Sequence, residues 1–494
     1  MFKVGFDNDK YLQMQSEHIL ERIHSFGGKL YLEFGGKLFD DYHASRVLPG
    51  FAPDSKIRML MKMKDQAEIV IVVSAVAIEQ NKMRADLGIT YDADAIRLID
   101  AFTGIGLYVG SVVITQYTAQ PAADAFIKRL ENLGVRVFRH YPIPGYPTNA
   151  KLIVSEEGYG KNDYIETKRS LVVITAPGPG SGKMATCLSQ LYHDSKRGIK
   201  SGYAKFETFP IWNLPLTHPV NIAYEAATAD LNDVNMIDPF HLEAYGKTTV
   251  NYNRDVEIFP VLRLIFEGIY GTCPYKSPTD MGVNMAGYCI TDDEAVCEAA
   301  KMEIVRRYYD TLCKKCRGLA DESEVYKSEL IMNRAGITTD YRRTVRAAID
   351  RAEETDGPAV AIELADGRIV TGKTTTLLGA SAAALLNALK VLGGINDEIH
   401  LLPPAVLEPL CHLKTEVLGG HNPRLHADEI LIALTLSAAT NPAADLAMKQ
   451  LPKLRGAEAH GTVIAAAVDA SLYRKLGINL TTEPKYQTKK LFHA

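Results

Sequence analysis

Long apolar runs are missing from this 494-residue chain. A bilayer-spanning helix needs about 18 to 20 apolar residues in succession, and the best stretch, "EILIALTLSAAT" at 429–440, stops short of that. The opening "MFKVGFDNDKYLQMQSEHILERIHSFGG" carries charges throughout, without a basic segment leading into an apolar one, so it does not read as a secretory leader. An excess of positive charge is lacking too: 55 Lys plus Arg stand against 59 Asp plus Glu, a formal net charge of -4. Such a balance supplies no broad cationic field, and neither nucleic acid nor a membrane is expected as a partner. Cysteine is sparse and odd in number, 7 in all. That argues against a disulfide scaffold and for a reducing compartment, so a cytoplasmic location is expected. No internal repeat or low-complexity tract stands out.

What is present is 47% hydrophobic residues, ample for packed cores in a chain of about two to four domains. Apolar runs at 29–34, 67–74, 110–117, 134–141 and 170–175 read as strands, and amphipathic stretches such as "PAADAFIKRLENLG" lie between them. This alternation predicts an α/β unit over residues 1–240, a P-loop-like or Rossmann-like parallel sheet covered by helices. The β-branched runs then thin out. "DDEAVCEAAKMEIVRRYYDTLCKKCRGL" places acids first and bases last, as the helix dipole favours, and predicts a mainly helical segment over 241–330. An α/β C-terminal domain is expected over 331–494, opening with a hairpin in "AVAIELADGRIVTG" that turns on Asp366 and Gly367. The closing "TTEPKYQTKKLFHA" reads as an irregular tail.

The stretch with most chemistry is "SLVVITAPGPGSGKMATCLSQLYHD", a buried strand, a glycine-rich loop ending in lysine, and a helix. A P-loop surrounds phosphate with backbone amides, adds a lysine, and binds magnesium through a hydroxyl. Pro177 and Met184 stand where that motif has its first glycine and its Ser or Thr. Gly178, Gly180 and Gly182 nevertheless alternate, which predicts close backbone approach by a ligand at three places, and Lys183 opens a helix whose positive end attracts anions. The candidate phosphate-binding residues are therefore Gly178, Gly180, Ser181, Gly182, Lys183 and Thr186. A magnesium ion would need another ligand, and "TADLNDVNMIDP" offers Asp230, Asp233 and Asp238. Lys183, Asp230 and Asp238 are the candidate catalytic set, although aspartates before helices more often act as caps.

"GRIVTGKT", Gly367 to Thr374, satisfies the P-loop pattern in full. Its context does not suit that role: Arg368 to Thr371 read as the returning strand of the hairpin, with Lys373 and Thr374 to Thr376 at the entry of the next helix. His412, His421, His426 and His460, with Asp428 and Glu429, have the ligand types for a transition metal but match no compact zinc spacing. Asp428 and Glu429 also suit the first turn of a helix. Cys313 and Cys316 form a CxxC within a helical pattern and read as ordinary thiols. The loop "YKSPTDMGVNMAG", 275–287, has the polar residues of a substrate loop and equally those of a connector.

Four stretches, "APGPGSGKMATCLSQLYHD", "NMIDPFHLEAYG", "SPTDMGVNMAG" and "TGKTTTLLGASAAALLNAL", together resemble a bacterial family of unknown function, uncharacterised protein family 0371. The resemblance covers the whole chain. It implies a cytoplasmic bacterial protein with α/β parts at both ends and a helical insert, and it brings no reaction and no catalytic residues. The residues themselves point to an enzyme that binds ATP, another nucleotide with Mg, or a different phosphorylated small molecule, with phosphoryl transfer as its chemistry. The alternatives are a metal-assisted hydrolase built on the C-terminal histidines and a noncatalytic nucleotide sensor. The oligomeric state is left open, a homo-oligomer included.

Overall fold

The computed structural model describes residues 3–36, 38–39, 41–84, 87–231 and 233–487; the last residues of the expected tail, 488–494, lie outside the described residues. The chain divides into two compact units, one comprising Gly5–Tyr224 and Asp233–Val296, the other built chiefly on the chain from Cys297 onward.

The first unit is organised on seven strands: β1 (Leu30–Phe34), β2 (Ala67–Ser74), β3 (Tyr108–Thr115), β4 (Val137–Arg139), β5 (Leu171–Thr175), β6 (Gly202–Phe206) and β7 (Gly282–Val283). They lie in the order β7-β6-β1-β5-β2-β3-β4, every neighbouring pair parallel. Strands such as "AEIVIVVS" are buried along their whole length, because a parallel sheet is covered on both faces and has no polar side to offer. From β1 the chain steps one way to β2, β3 and β4, returns to β5, and then steps the other way to β6 and β7. Right-handed crossovers put connections of opposite direction on opposite faces. Helices Lys183–Lys196 and Asn253–Tyr270 thus share one face, where Cys187, Leu188, Leu191, Phe259, Leu262 and Phe266 pack with Tyr31, Val172 and Tyr203. Helices Tyr91–Gly104 and Pro121–Asn132 belong to the other.

Two strands of this sheet lie outside the sequence expectation. In β6, "GYAKF", a lysine interrupts the apolar pattern, and Gly202 is required because a Cβ there would lie 2.0 Å from the Phe26 ring. The two-residue β7 sits inside the loop 275–287, directly after the short helix Pro278–Met281. Of the segment expected to be helical, Asn253–Tyr270 packs on the sheet of the first unit, while Glu322–Arg334 belongs to the second. The charged pattern "DDEAVCEAAK" does open a single helix, Asp293–Cys316, 24 residues long.

The second unit carries β8 (Ala359–Glu363), β9 (Ile369–Lys373), β10 (Glu458–Gly461) and β11 (Asn479–Thr482), in the order β9-β8-β10-β11. β8 is antiparallel to β9 and to β10, and β10 is parallel to β11. Asp366 and Gly367 make the hairpin turn, with Gly367 at φ +79°. The following helix is Ala380–Gly393, so Lys373 ends a strand and does not open that helix. The Thr375 hydroxyl accepts from the amides of Leu377 and Leu378, closing a local turn and leaving Gly379 as the N-cap. Among the described residues no helix is long and apolar enough to cross a membrane.

Candidate functional site

In an open parallel sheet, ligands bind outside the carboxyl ends of strands whose outgoing connections diverge. Two neighbouring pairs meet that condition here, β5 beside β2 and β6 beside β1.

The glycine-rich loop leaves the carboxyl end of β5 and enters helix Lys183–Lys196. It is pinned from within: the Ser181 hydroxyl donates to the Gly178 carbonyl at 2.9 Å, and the Thr115 hydroxyl of β3 donates to the Ser181 carbonyl at 2.7 Å. The three glycines have different reasons to be there. A Cβ on Gly178 would lie 2.2 Å from the Tyr91 hydroxyl, and one on Gly182 would lie 3.2 Å from Thr115 at a φ of +89°. Only Gly180, at φ +77°, borders open space. Packing therefore accounts for the lack of a side chain at Gly178 and Gly182, while at Gly180 the Cβ direction is open.

Gly182 caps the helix without offering a side-chain acceptor. The first backbone bond of the helix runs from the Thr186 amide to the Gly182 carbonyl at 2.9 Å. Among the described residues no acceptor meets the amides of Lys183, Met184 and Ala185. These are the donors that an anion takes at a helix N-terminus, and the Lys183 side chain, half-buried, begins beside them. Thr186 faces inward and is fully buried, its hydroxyl without a hydrogen-bond partner.

Asp230 is exposed in the 3-10 turn Ala229–Leu231 of the second unit. Asp238 is fully buried with both carboxylate oxygens engaged: one accepts from the His241 amide, capping helix Pro239–Tyr245, and the other accepts from the Thr279 hydroxyl at 2.6 Å and its amide at 3.2 Å. Asp233 pairs with Arg254. In the second unit His412 and His421 are exposed. His426 caps helix Ala427–Ala438 and meets Asp469 at 3.1 Å, a hydrogen bond that raises its pKa above the usual histidine value. Buried His460 faces Thr481 at 2.8 Å and Glu483 at 3.3 Å. Asp428 and Glu429 occupy the first helical turn. All seven cysteines are free thiols, Cys313 and Cys316 among them.

The second divergent pair, β6 beside β1, carries a group that sequence reasoning missed. Glu33 of β1 and Lys205 of β6 are register partners, and Glu207 follows two residues later on the same face. The Lys205 ammonium bonds Glu207 at 2.9 Å and contacts the Asp255 carboxylate and the Tyr252 hydroxyl. Tyr252 donates to Glu207 at 3.1 Å, and Tyr203 donates to Glu33 at 2.7 Å. Burial pushes the Glu207 carboxyl up to about 7; Lys205 opposes this, while Asp255 and Glu33 add to it. The Lys205 ammonium is held above its ordinary value by Asp255, Glu207 and Glu33, which outweigh its burial. Both β1 and β6 carry a charged residue at their second-to-last position, Glu33 in "KLYLEFGG" and Lys205 in "GYAKFETF". That is the available signal, and the lysine inside "GYAKF" hides the strand that gives it meaning.

Buried Cys187, on the helix that Lys183 opens, has its thiol pKa raised by burial and by Glu33 and lowered by Lys183, so both charges act on one side chain.

The first unit is therefore a doubly wound α/β domain with charged groups gathered at the carboxyl edge of its sheet. The chain belongs to a family of unknown function: residues 4–336 match the family described as Domain of unknown function DUF1846, N-terminal, and residues 340–492 match its C-terminal counterpart. It is similar to a UPF0371 protein of Streptococcus thermophilus, 60% identical over 492 residues, and to one of Streptococcus pyogenes serotype M5, 59% identical, each alignment covering 100% of both chains. The resemblance to family 0371 carried by the four quoted stretches is borne out along the full chain.

Proposed function

We propose that the protein binds a phosphorylated small molecule, nucleotides included, at the helix N-terminus following β5. The observation that carries this reading is the uncapped start of helix Lys183–Lys196, where three consecutive amides beside a lysine meet no acceptor among the described residues. Its place at a divergent carboxyl edge supports it, as does the pinning of the loop by Ser181 and Thr115, which holds the amides in position before a ligand arrives. Phosphoryl transfer through a magnesium ion would need ligands other than Asp238, whose oxygens are already engaged.

A charge-assisted phosphate contact is worth roughly 1.5 to 3 kcal/mol. Lys183→Ala should therefore weaken binding of ATP, GTP or a sugar phosphate by about ten- to a hundredfold in calorimetry. Unchanged affinity in the folded variant, for a ligand that the parent chain binds, would remove Lys183 from the site.

A further inference from the structure

The glycine-rich loop leaves β5, and the segment that leaves the neighbouring strand β2 meets it at Tyr91. Tyr91 opens helix Tyr91–Gly104, and its amide donates to the Lys82 carbonyl at 2.9 Å. Its side chain is only 4% exposed, and its hydroxyl stands against the loop, 2.2 Å from where a Cβ on Gly178 would lie. Among the described residues that hydroxyl has no hydrogen-bond partner. Unlike the enclosed Thr186 hydroxyl, it remains open to solvent and so to a ligand. The Lys82 ammonium lies over the Tyr91 ring, 5.3 Å from its centroid, a contact that holds a cation in place. Neither Lys82 nor Lys183 meets a carboxylate among the described residues. The bond from the Ser181 hydroxyl to the Gly178 carbonyl folds the loop back, which returns Gly178, and Tyr91 with it, toward the start of the Lys183 helix. A buried tyrosine with its donor unused is costly unless a partner arrives.

We propose that Tyr91 and Lys82 bind a second phosphoryl group, so that the ligand is a diphosphate or a longer phosphate chain. One phosphoryl group lies at the amides of Lys183, Met184 and Ala185, and the next receives the Tyr91 hydroxyl and the Lys82 ammonium. This names the ligand class of the site proposed above and rests on that reading. Both sides of the divergent pair β5 and β2 then contribute, as expected of a crevice at a topological switch point: the β5 loop brings the amides and Lys183, and the β2 connection brings Tyr91 and Lys82. Gly178 is needed because any side chain there would displace the Tyr91 hydroxyl. Gly180, open in its Cβ direction, leaves the span between the two lysines clear of a side chain. A single phosphate has little use for a second cation beyond the loop, whereas a chain of phosphoryl groups spreads its charge along that span.

The test compares matched probes in calorimetry with the full chain and no divalent metal: pyrophosphate against orthophosphate, and ADP against AMP. In at least one pair the diphosphate should bind about tenfold or more tightly than its partner, as expected for an added charge-assisted hydrogen bond. Lys82→Ala, a change at an exposed side chain, should abolish most of that preference and leave orthophosphate and AMP binding as in the parent chain. Tyr91→Phe keeps the ring beneath the ammonium and removes only the hydroxyl; it should lower the preference about two- to tenfold. Equal binding within both pairs would overturn the proposal, and so would a preference that survives undiminished in either folded variant. The two readings fail separately. Orthophosphate and AMP binding that Lys183→Ala weakens, with no gain from a second phosphoryl group, would keep the phosphate site and remove its extension to Tyr91 and Lys82, whereas a parent chain that binds none of the four probes would remove both.

Discussion

The chain contains two glycine-lysine stretches, and the one that matches the phosphate-loop pattern in every position is the one built as something else. In "GRIVTGKT" the residues from Ile369 to Lys373 are a strand edge of the C-terminal hairpin, and Gly372 is there because a Cβ would lie 2.1 Å from the Ala384 backbone amide. Its amides serve a ladder and its glycine serves helix packing. In "APGPGSGKM" two motif residues are absent, yet the segment has a parallel strand before it, a 14-residue helix after it, and uncapped amides at the junction. Phosphate binding depends on where amides point, and that is a property of strand–loop–helix geometry that spacing alone does not carry.

The strongest test of this contrast is at Gly372. Gly372→Ala sets a methyl group against backbone that cannot rotate away, which should cost on the order of 1–3 kcal/mol and appear as an earlier melting transition, with phosphate affinity unchanged in the protein that remains folded. A matching loss in Gly180→Ala, which meets open space and carries only the strain of a positive φ, should be near ~1 kcal/mol. If Gly180→Ala proves the more damaging to stability, the loop is packed differently from the arrangement described. Next in size is the pair of lysines: Lys183→Ala should lower phosphate affinity about ten- to a hundredfold, and Lys373→Ala should leave it nearly intact. Loss of binding in Lys373→Ala, with circular dichroism and melting unaltered, would move the site to the hairpin.

A third effect separates the buried carboxyl groups around Lys205 from ordinary surface carboxylates. Glu207 has a folded pKa of about 7, raised from the ordinary value of 4.5, so the folded state holds its proton more tightly than the unfolded one. Its contribution to stability is full below about pH 4.5 and is lost as pH rises through 7. Glu207→Gln should flatten that part of the stability profile, and at pH 8 it should relieve a buried charge, by roughly 1–3 kcal/mol. Denaturant melts across about pH 4 to 8 read both, and a parallel slope in parent and variant would show that Glu207 titrates normally. The smallest effect concerns the histidines of the second unit. His426 is committed to Asp469, and His460 to Thr481 and Glu483, so protein purified without added metal should contain less than one equivalent of zinc, manganese or iron. A full equivalent that disappears in His421→Ala with His426→Ala would install a metal centre there.

Much of the fold is legible in the order of residues. Five of the seven parallel strands announce themselves as apolar runs, because burial on both faces leaves no room for polar residues, and the hairpin at Asp366 and Gly367 follows from turn chemistry. The helix opened by Lys183 and the helix Asp293–Cys316 follow from apolar spacing and charge order. β6 escapes because Lys205 breaks its pattern, and β7 because a two-residue edge strand has no pattern to read.

Neighbours along the chain are enough to specify most elements, the family and the strand–loop–helix unit around Lys183, since each depends on residues close together in sequence. Which charges meet is a matter of tertiary arrangement. Glu33, Lys205, Glu207 and Asp255 come from three separate stretches, and only the insertion of β1 between β5 and β6 brings Glu33 into register with Lys205. The same arrangement fills the oxygens of Asp238, a reasonable metal ligand on paper, with His241 and Thr279. The physical reason is common to both cases: the pKa and the free valence of a carboxylate are set by what surrounds it in space, and strand order, which no local pattern encodes, sets the surroundings.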